Sequence, residues 1–384
     1  MMAHNTSSFV NRLHRHEAGF TLVELMVGLV IGILATLAIA QVMSSAEGNK
    51  RGTTSGSDAQ VAGALALFGL QREIEMAGYG ISSTKSAIGC ALSARYGGAA
   101  VASFPNLMAP VVITQGAGGA PDTVQVLSSG TKRFAVPMRA IPPYYNPEDQ
   151  NPGGPSFGVP VSSALGVQKG DLVANIVDST QPCEVFEVTD EPAAGRLPRE
   201  DNGRWNSNKF PTLALTKTSF VVNLGQLNAK RFGVTNNTLW ARDYDLSKRD
   251  WSDPQELQAG VVNMQALYGK DTNADGRVDR FDTVTPTTNA EWEQVLAVRL
   301  AVVVRSGQYE RNPVTDNASG DLDGELWWDV GRGKAVTVDG AVDCLSGSKC
   351  LKLKVNFADN AEWKHYRYKV FDTVVPLRNM VWDE

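Results

Sequence analysis

The chain has 384 residues, 43% of them hydrophobic and 20% charged, so it can fill a sizeable core and is not a disordered chain. Its formal net charge is −5; the first nineteen residues hold Arg12, Arg15 and Glu17, which leaves −6 for the remainder and no electrostatic footprint for nucleic acid. Three of the four histidines, His4, His14 and His16, lie in the first sixteen residues, so removal of that segment would leave His365 alone and exclude multi-histidine metal sites.

The strongest pattern begins at Phe20. Residues 20–43 carry one charge, Glu24, and as a helix reach roughly 36 Å at about 1.5 Å per residue. A bilayer core is about 30 Å thick, so 20–43 reads as a membrane-crossing helix. Arg12 and Arg15 just before it predict a cytoplasmic N-terminus and an exported remainder. A conventional signal peptide has a shorter apolar core with its small-residue site behind it; here Ala18-Gly19 stands in front. A plain anchor would leave Glu24 unexplained, because a carboxylate inside an apolar span costs a few kcal/mol and marks function.

Gly19-Phe20-Thr21-Leu22-Val23-Glu24 resembles the class III leader of type IV prepilins and type II secretion pseudopilins. The resemblance implies cleavage between Gly19 and Phe20 by a prepilin peptidase and N-methylation of Phe20. It also implies that Glu24 pairs with the terminal amine of a neighbouring subunit during assembly. A carboxylate buried in a stack of such helices needs a cation, and the freed α-amine is one.

Residues 44–57 hold three glycines and are expected to form a flexible or kinked segment. Asp58 is a fair N-cap for a second helical half over 58–80, with Val61, Leu65, Phe68, Ile74 and Met76 near helical spacing and Gly78-Tyr79-Gly80 as its stop. The run from Gly63 to Gly80, leading to Gly89-Cys90, resembles PilW-type minor pilins. So do Leu239–Asp243, Val261–Gly269, Val298–Ser306 and Tyr366–Asn379.

Beyond about residue 100 the pattern is strands and loops. Strands are expected at Thr123–Leu127, Asp171–Val177, Cys183–Val188, Ser219–Val222, Val295–Val304, Leu351–Val355 and Tyr366–Val375, with Val295–Arg305 as a central strand. Ile141–Pro160, rich in Pro, Gly and Asn, reads as a loop or insertion. His365 falls in an alternating, strand-like Trp363–Tyr368 and reads as a structural residue. The expected fold is α+β and type IV pilin-like: a long N-terminal α-helix packed on an antiparallel β-sheet, with a large β-rich domain over 81–384 and loop insertions.

The cysteines are Cys90, Cys183, Cys344 and Cys350, with no CxxC. An even count in an exported chain points to two disulfides; Cys344 and Cys350 flank a short turn-rich loop and favour each other, though three pairings remain open. Residues 271–282 match the calcium-loop pattern of the EF-hand: Asp271, Asn273, Asp275, Gly276 and Asp279, with the Arg277 carbonyl at the seventh position. Calcium takes six to eight hard oxygens, and glycine permits the sharp turn. Asp282 stands where a longer glutamate is usual, and a solvated acidic turn is the alternative.

Catalytic patterns are weak. There is no GxSxG, and Gly331 to Lys334 lacks the spacing of a phosphate-binding loop. Carboxylates such as Asp321, Asp323 and Glu325 have no spacing that predicts paired acid–base work. Trp327-Trp328 and Tyr144-Tyr145 read as core or loop anchors, with partner contact as the alternative. The PilW resemblance therefore implies a non-catalytic pilus subunit, priming assembly or sitting at the tip, with other minor pilins, the major pilin, a large tip adhesin, the prepilin peptidase and the inner-membrane machinery as partners. A type II secretion pseudopilin, or an adhesive module at a tip, are the alternatives.

Overall fold

The computed structural model describes residues 19–82, 87–150, 158–201, 203–206, 210–315, 324–331, 336–344 and 347–381, without the side chains of 48–49 and 51–55. Residues 1–18 of the expected leader, Asp321, Asp323 and residues 332–334 lie outside the described residues. The chain forms two compact units, Met1–Thr54 and Ser55–Glu384.

One α-helix runs from Leu22 to Met76. The expected break at 44–57 is absent, and Asp58 lies inside the helix rather than capping a second one. Each glycine there costs up to about 1 kcal/mol. Extending a helix that already exists needs no new nucleus, so flanking helix formers carry it through. The helix stops where expected: Gly78 adopts φ +81° and its N–H donates to the Leu127 carbonyl. Asn379 Nδ2 donates to the Ala77 carbonyl at 2.9 Å.

Within the second unit the helix lies over a five-stranded sheet. Its order is Thr337–Val338, Arg280–Asp282, Val261–Lys270, Val295–Arg305, Tyr368–Pro376. Only the Arg280–Asp282/Thr337–Val338 pair is parallel. Val295–Arg305 is central, and both of its faces are buried. Val298, Leu300, Val302 and Val304 join the core on the helix side with Ala66, Leu70 and Ile74; Ala301 and Val303 join Trp328 and Leu353 on the other. A strand covered on both faces reads as a continuous apolar run, as this one does.

The helix meets the core through Ala59, Ala66, Leu70, Ile74 and Ala77, with Gly63 where an added Cβ would fall 2.3 Å from the Phe371 ring. Of the expected apolar set, only Ile74 faces the core; Val61, Leu65, Phe68 and Met76 are exposed. Close approach of the Phe371 ring selects glycine at 63, while Leu70 and Ile74 reach the core farther along the same face.

Two further large sheets lie in the same unit. One orders Asp250–Trp251, Thr238–Asp245, Asn228–Thr235, Thr123–Ser128 and Val111–Thr114, with Gln255–Ala259 also paired to Thr238–Asp245. The other orders Ala99–Ala100, Leu92–Tyr96, Cys183–Glu187, Leu172–Ile176, Phe220–Gly225 and Met138–Arg139. A smaller sheet of Glu325–Gly331, Lys349–Lys354 and Val342–Asp343 covers the face of the central sheet away from the helix. Trp363–His365 is a 3₁₀ turn, and the last strand begins only at Tyr368. The alternation there comes from aromatics around that turn.

Candidate functional site

Leu22–Glu47 is long and apolar enough to cross a membrane. Its large side chains are all exposed, from Phe20 and Leu22 to Val42 and Met43. Gly19, Phe20 and Thr21 precede the helix without regular structure. Thr21 is its N-cap: the hydroxyl accepts the Glu24 N–H at 3.2 Å, and the Thr21 carbonyl accepts the Leu25 N–H at 3.1 Å. This role was missed above, although Thr-x-x-Glu ahead of an apolar run is its signal. The Glu24 carboxylate lies in the first turn, where the positive end of the helix dipole favours it. It has no ion-pair partner among the described residues.

The expected cleavage point therefore falls two bonds before the helix, in non-helical chain. Thr21 and Glu24 both lie after it, so the cap and the carboxylate stay together on the cleaved chain.

In the second unit, the outer face of the helix repeats Val61, Leu65, Phe68, Arg72 and Met76 at spacings of four, three, four and four. All five are exposed. The stripe lies opposite the core face and suits contact with another helix.

The 271–282 loop folds on its own hydrogen bonds. Asp271 Oδ2 accepts the Gly276 N–H at 2.7 Å, and its Oδ1 accepts the Asp275 N–H at 3.2 Å. Asn273 Oδ1 also accepts the Asp275 N–H, and Asp275 Oδ1 accepts the Arg277 N–H. Gly276 takes φ +79° at the sharp turn. Asp279 instead faces Thr272, whose hydroxyl and N–H each donate to it at 2.7 Å; the hydroxyl bond foremost holds its carboxyl below the usual range. Asp282 is buried and accepts Lys270 Nζ at 2.7 Å, with the same ammonium donating to the Val284 carbonyl. The loop thus gathers Asp271, Asn273 and Asp275 at its turn and directs Asp279 and Asp282 elsewhere. Among the described residues, no three His, Cys, Asp or Glu side chains form a group that could hold a metal ion.

Cys90 is bonded to Cys183 and Cys344 to Cys350. His365 stacks on Tyr309 at 4.6 Å with Nδ1 2.7 Å from the Glu310 carbonyl. Tyr145 and Trp328 are core residues, whereas Trp327 is exposed.

Residues 226–379 match the family described as Type IV Pilus-assembly protein W, and residues 14–40 match the prokaryotic N-terminal methylation motif. No curated protein matches. A solved type IV-like pilin from Thermus thermophilus aligns with 12% identity and a TM-score of 0.19, covering 56% of this chain and 87% of its own. A likeness at that score carries no argument.

Proposed function

We propose that this chain, by its two family matches a PilW-type pilin with an N-terminal methylation motif, is a structural minor subunit of a type IV pilus that primes assembly or occupies the tip. The observation that carries the reading is the placement of Gly19, Phe20, Thr21 and Glu24: the Gly19-Phe20 junction in non-helical chain, then a capped apolar helix whose first turn holds a carboxylate with no ion-pair partner among the described residues. In lipid or in a packed helical bundle that carboxylate needs a cation. The α-amine released at Phe20 of an adjacent subunit supplies one. The apolar helix waits in the inner membrane with its short N-terminus cytoplasmic and the β-rich unit exported, and then enters the fibre.

The outward stripe Val61, Leu65, Phe68 and Met76 supports helix contacts with neighbouring subunits. The partners of this reading are other minor pilins, the major pilin and a large tip adhesin. A prepilin peptidase and the inner-membrane assembly machinery act on the precursor.

Glu24→Ala tests the assembly role. The variant is expected to be cleaved normally, migrate as the mature form and be at least tenfold depleted from sheared pili. Wild-type amounts in sheared pili would remove Glu24 from assembly. Gly19→Val is expected to leave an unshifted precursor band on immunoblots, and a normally processed product would remove the proposed cleavage site.

A further inference from the structure

The central sheet ends on one side in a long strand that is bare among the described residues. Tyr368–Pro376 pairs with a single neighbour, and its nine residues align from Arg305↔Tyr368 to Ala297↔Pro376 without a bulge. Two flanking bonds set the parity of this ladder. The Ser306 N–H donates to the Arg367 carbonyl at 2.7 Å, and the Leu377 N–H donates to the Leu296 carbonyl at 2.8 Å. Both pairs continue the same register, and hydrogen-bonded pairs recur at every second residue of an antiparallel ladder. The odd-numbered residues of this strand therefore turn their N–H and C=O groups inward. Tyr368, Val370, Asp372 and Val374 turn theirs outward. Among the described residues nothing hydrogen-bonds to those outward groups. Pro376 falls in the same outward row, where its missing N–H costs no ladder bond.

Long bare edges are templates for strand addition, and folded chains blunt them with bulges, inward charges or covering loops. Here the register is unbroken, and the devices present are Lys369 and the terminal Pro376. On one face of the strand stand Val370, Asp372 and Val374, the last 47% exposed. On the helix side stand Lys369, Phe371, Thr373 and Val375.

We propose that this edge accepts an extended segment of another protein, one with alternating apolar residues and a carboxylate opposite Lys369. The charges decide against a second copy. Asp372 is already paired with Arg299 at 2.8 Å. The Lys369 ammonium lies 5.4 Å from the neighbouring Phe371 ring and has no carboxylate partner among the described residues. In a two-fold antiparallel pairing the residues opposite each other share a face, so odd meets odd. Lys369 would then meet Arg367, Lys369, Phe371, Thr373 or Val375, none of them acidic. Asp372 would meet Tyr368, Val370, Asp372, Val374 or Pro376, none of them a cation, and the direct Asp372 pair would repel. A foreign strand can place an acid where this chain cannot. It would also cover Val374 and satisfy the outward backbone groups, the mode of recognition known as strand addition. The proposal rests on the sheet edge alone and stands whether or not Glu24→Ala alters pilus incorporation.

The test uses the full chain in detergent micelles and two fluorescent seven-residue peptides of alternating valine and threonine, one with a central glutamate and one with a central lysine. The glutamate peptide is expected to bind saturably, and the lysine peptide at least tenfold more weakly. Lys369→Glu should reverse that preference. The double variant Val370→Pro, Val374→Pro removes two outward N–H groups and no inward one, so it should keep its melting temperature and lose at least tenfold in affinity. Equal binding of both peptides, no binding, or binding untouched by the prolines would overturn the proposal. So would a dimer in sedimentation that the proline variant abolishes, since that assigns the edge to a second copy. Should the proline variant fail to fold, the charge reversal at Lys369 decides alone.

Discussion

Asp122 is the carboxylate whose chemistry the fold alters most legibly. It is fully buried, with Oδ1 accepting the Gly116 N–H and Oδ2 the Ala266 N–H, each at 2.8 Å. Burial raises its pKa to about 6, against an ordinary 3.8, and the two backbone bonds only partly oppose that. The folded chain therefore holds this proton more tightly than the unfolded one. The stability from it is full below about pH 3.8 and is lost as pH rises through 6, on the order of 3 kcal/mol over that window. Exposed carboxylates such as Asp178 and Asp279, held low by hydrogen bonds from Thr180 and Thr272, act in the opposite sense. Comparison with Asp122→Asn isolates the buried group. In urea titrations at pH 4.5, 5.5 and 6.5 the wild type should gain on the variant as pH falls, and parallel profiles would remove Asp122 as the cause. At the 271–282 loop, calcium is offered Asp271, Asn273, Asp275 and the Arg277 carbonyl, while Asp282 stays with Lys270. A site with so few protein oxygens binds weakly. We expect no rise in melting temperature at micromolar calcium and a rise of a few degrees at most at millimolar, lost in Asp275→Asn. A rise at micromolar calcium would mean that Asp282 leaves Lys270 to ligate.

At the scale of elements, two glycines about two turns apart in the long helix carry opposite lessons. Gly56 has open space around an added Cβ, so Gly56→Ala should stabilise the helix by about 0.8–1 kcal/mol. Gly63 meets the Phe371 ring, so Gly63→Ala should destabilise by roughly 1–3 kcal/mol through overpacking. Amide exchange of residues 50–70 in the full chain reads both effects, and equal responses would put the helix–strand contact in doubt. Sequence patterning found the apolar helix and the two-sided strand Val295–Arg305 because their signals are local. It also located Leu172–Ile176 and Cys183–Glu187 within a residue or two. It did not find the ten-residue strand Val261–Lys270 as a strand. Asn263 and Gln265 interrupt its apolar run, and their reason is tertiary: Asn263 Nδ2 donates to the Lys354 carbonyl and Gln265 Nε2 to the Ala120 carbonyl. The core face of the helix was misread for a like cause. Only the approach of Phe371 explains why position 63 on the inward face is glycine, and that contact cannot be read from helical spacing. Of the candidate site, Phe20 and Glu24 were legible as a leader motif; the cap at Thr21 was legible as Thr-x-x-Glu, but its residues overlap that leader and read only as part of it.

For the molecule as a whole, the two disulfides differ in what they hold. Cys90–Cys183 joins residues 93 apart and is buried beside the parallel pair Leu92–Tyr96 and Cys183–Glu187, which begins at Leu92↔Cys183. Parallel strands need a long connection, so this pairing closes a large loop before any ladder bond forms. Cys344–Cys350 spans only six residues and pins Val342–Asp343 to Lys349–Lys354, whose antiparallel register already pairs Val342 with Cys350. By chain entropy the long bridge is worth about 4–5 kcal/mol and the short one about 2. Replacing Cys90 and Cys183 by serine should therefore lower urea stability at least twice as much as replacing Cys344 and Cys350. It should also leave the strands Leu92–Tyr96 and Cys183–Glu187 the first to exchange their amides. A smaller effect for the long bridge than for the short one would mean that the Leu92–Tyr96 and Cys183–Glu187 sheet holds its register through packing alone. That larger effect would tie correct folding of the second unit to an oxidising compartment, where such a bridge forms and persists.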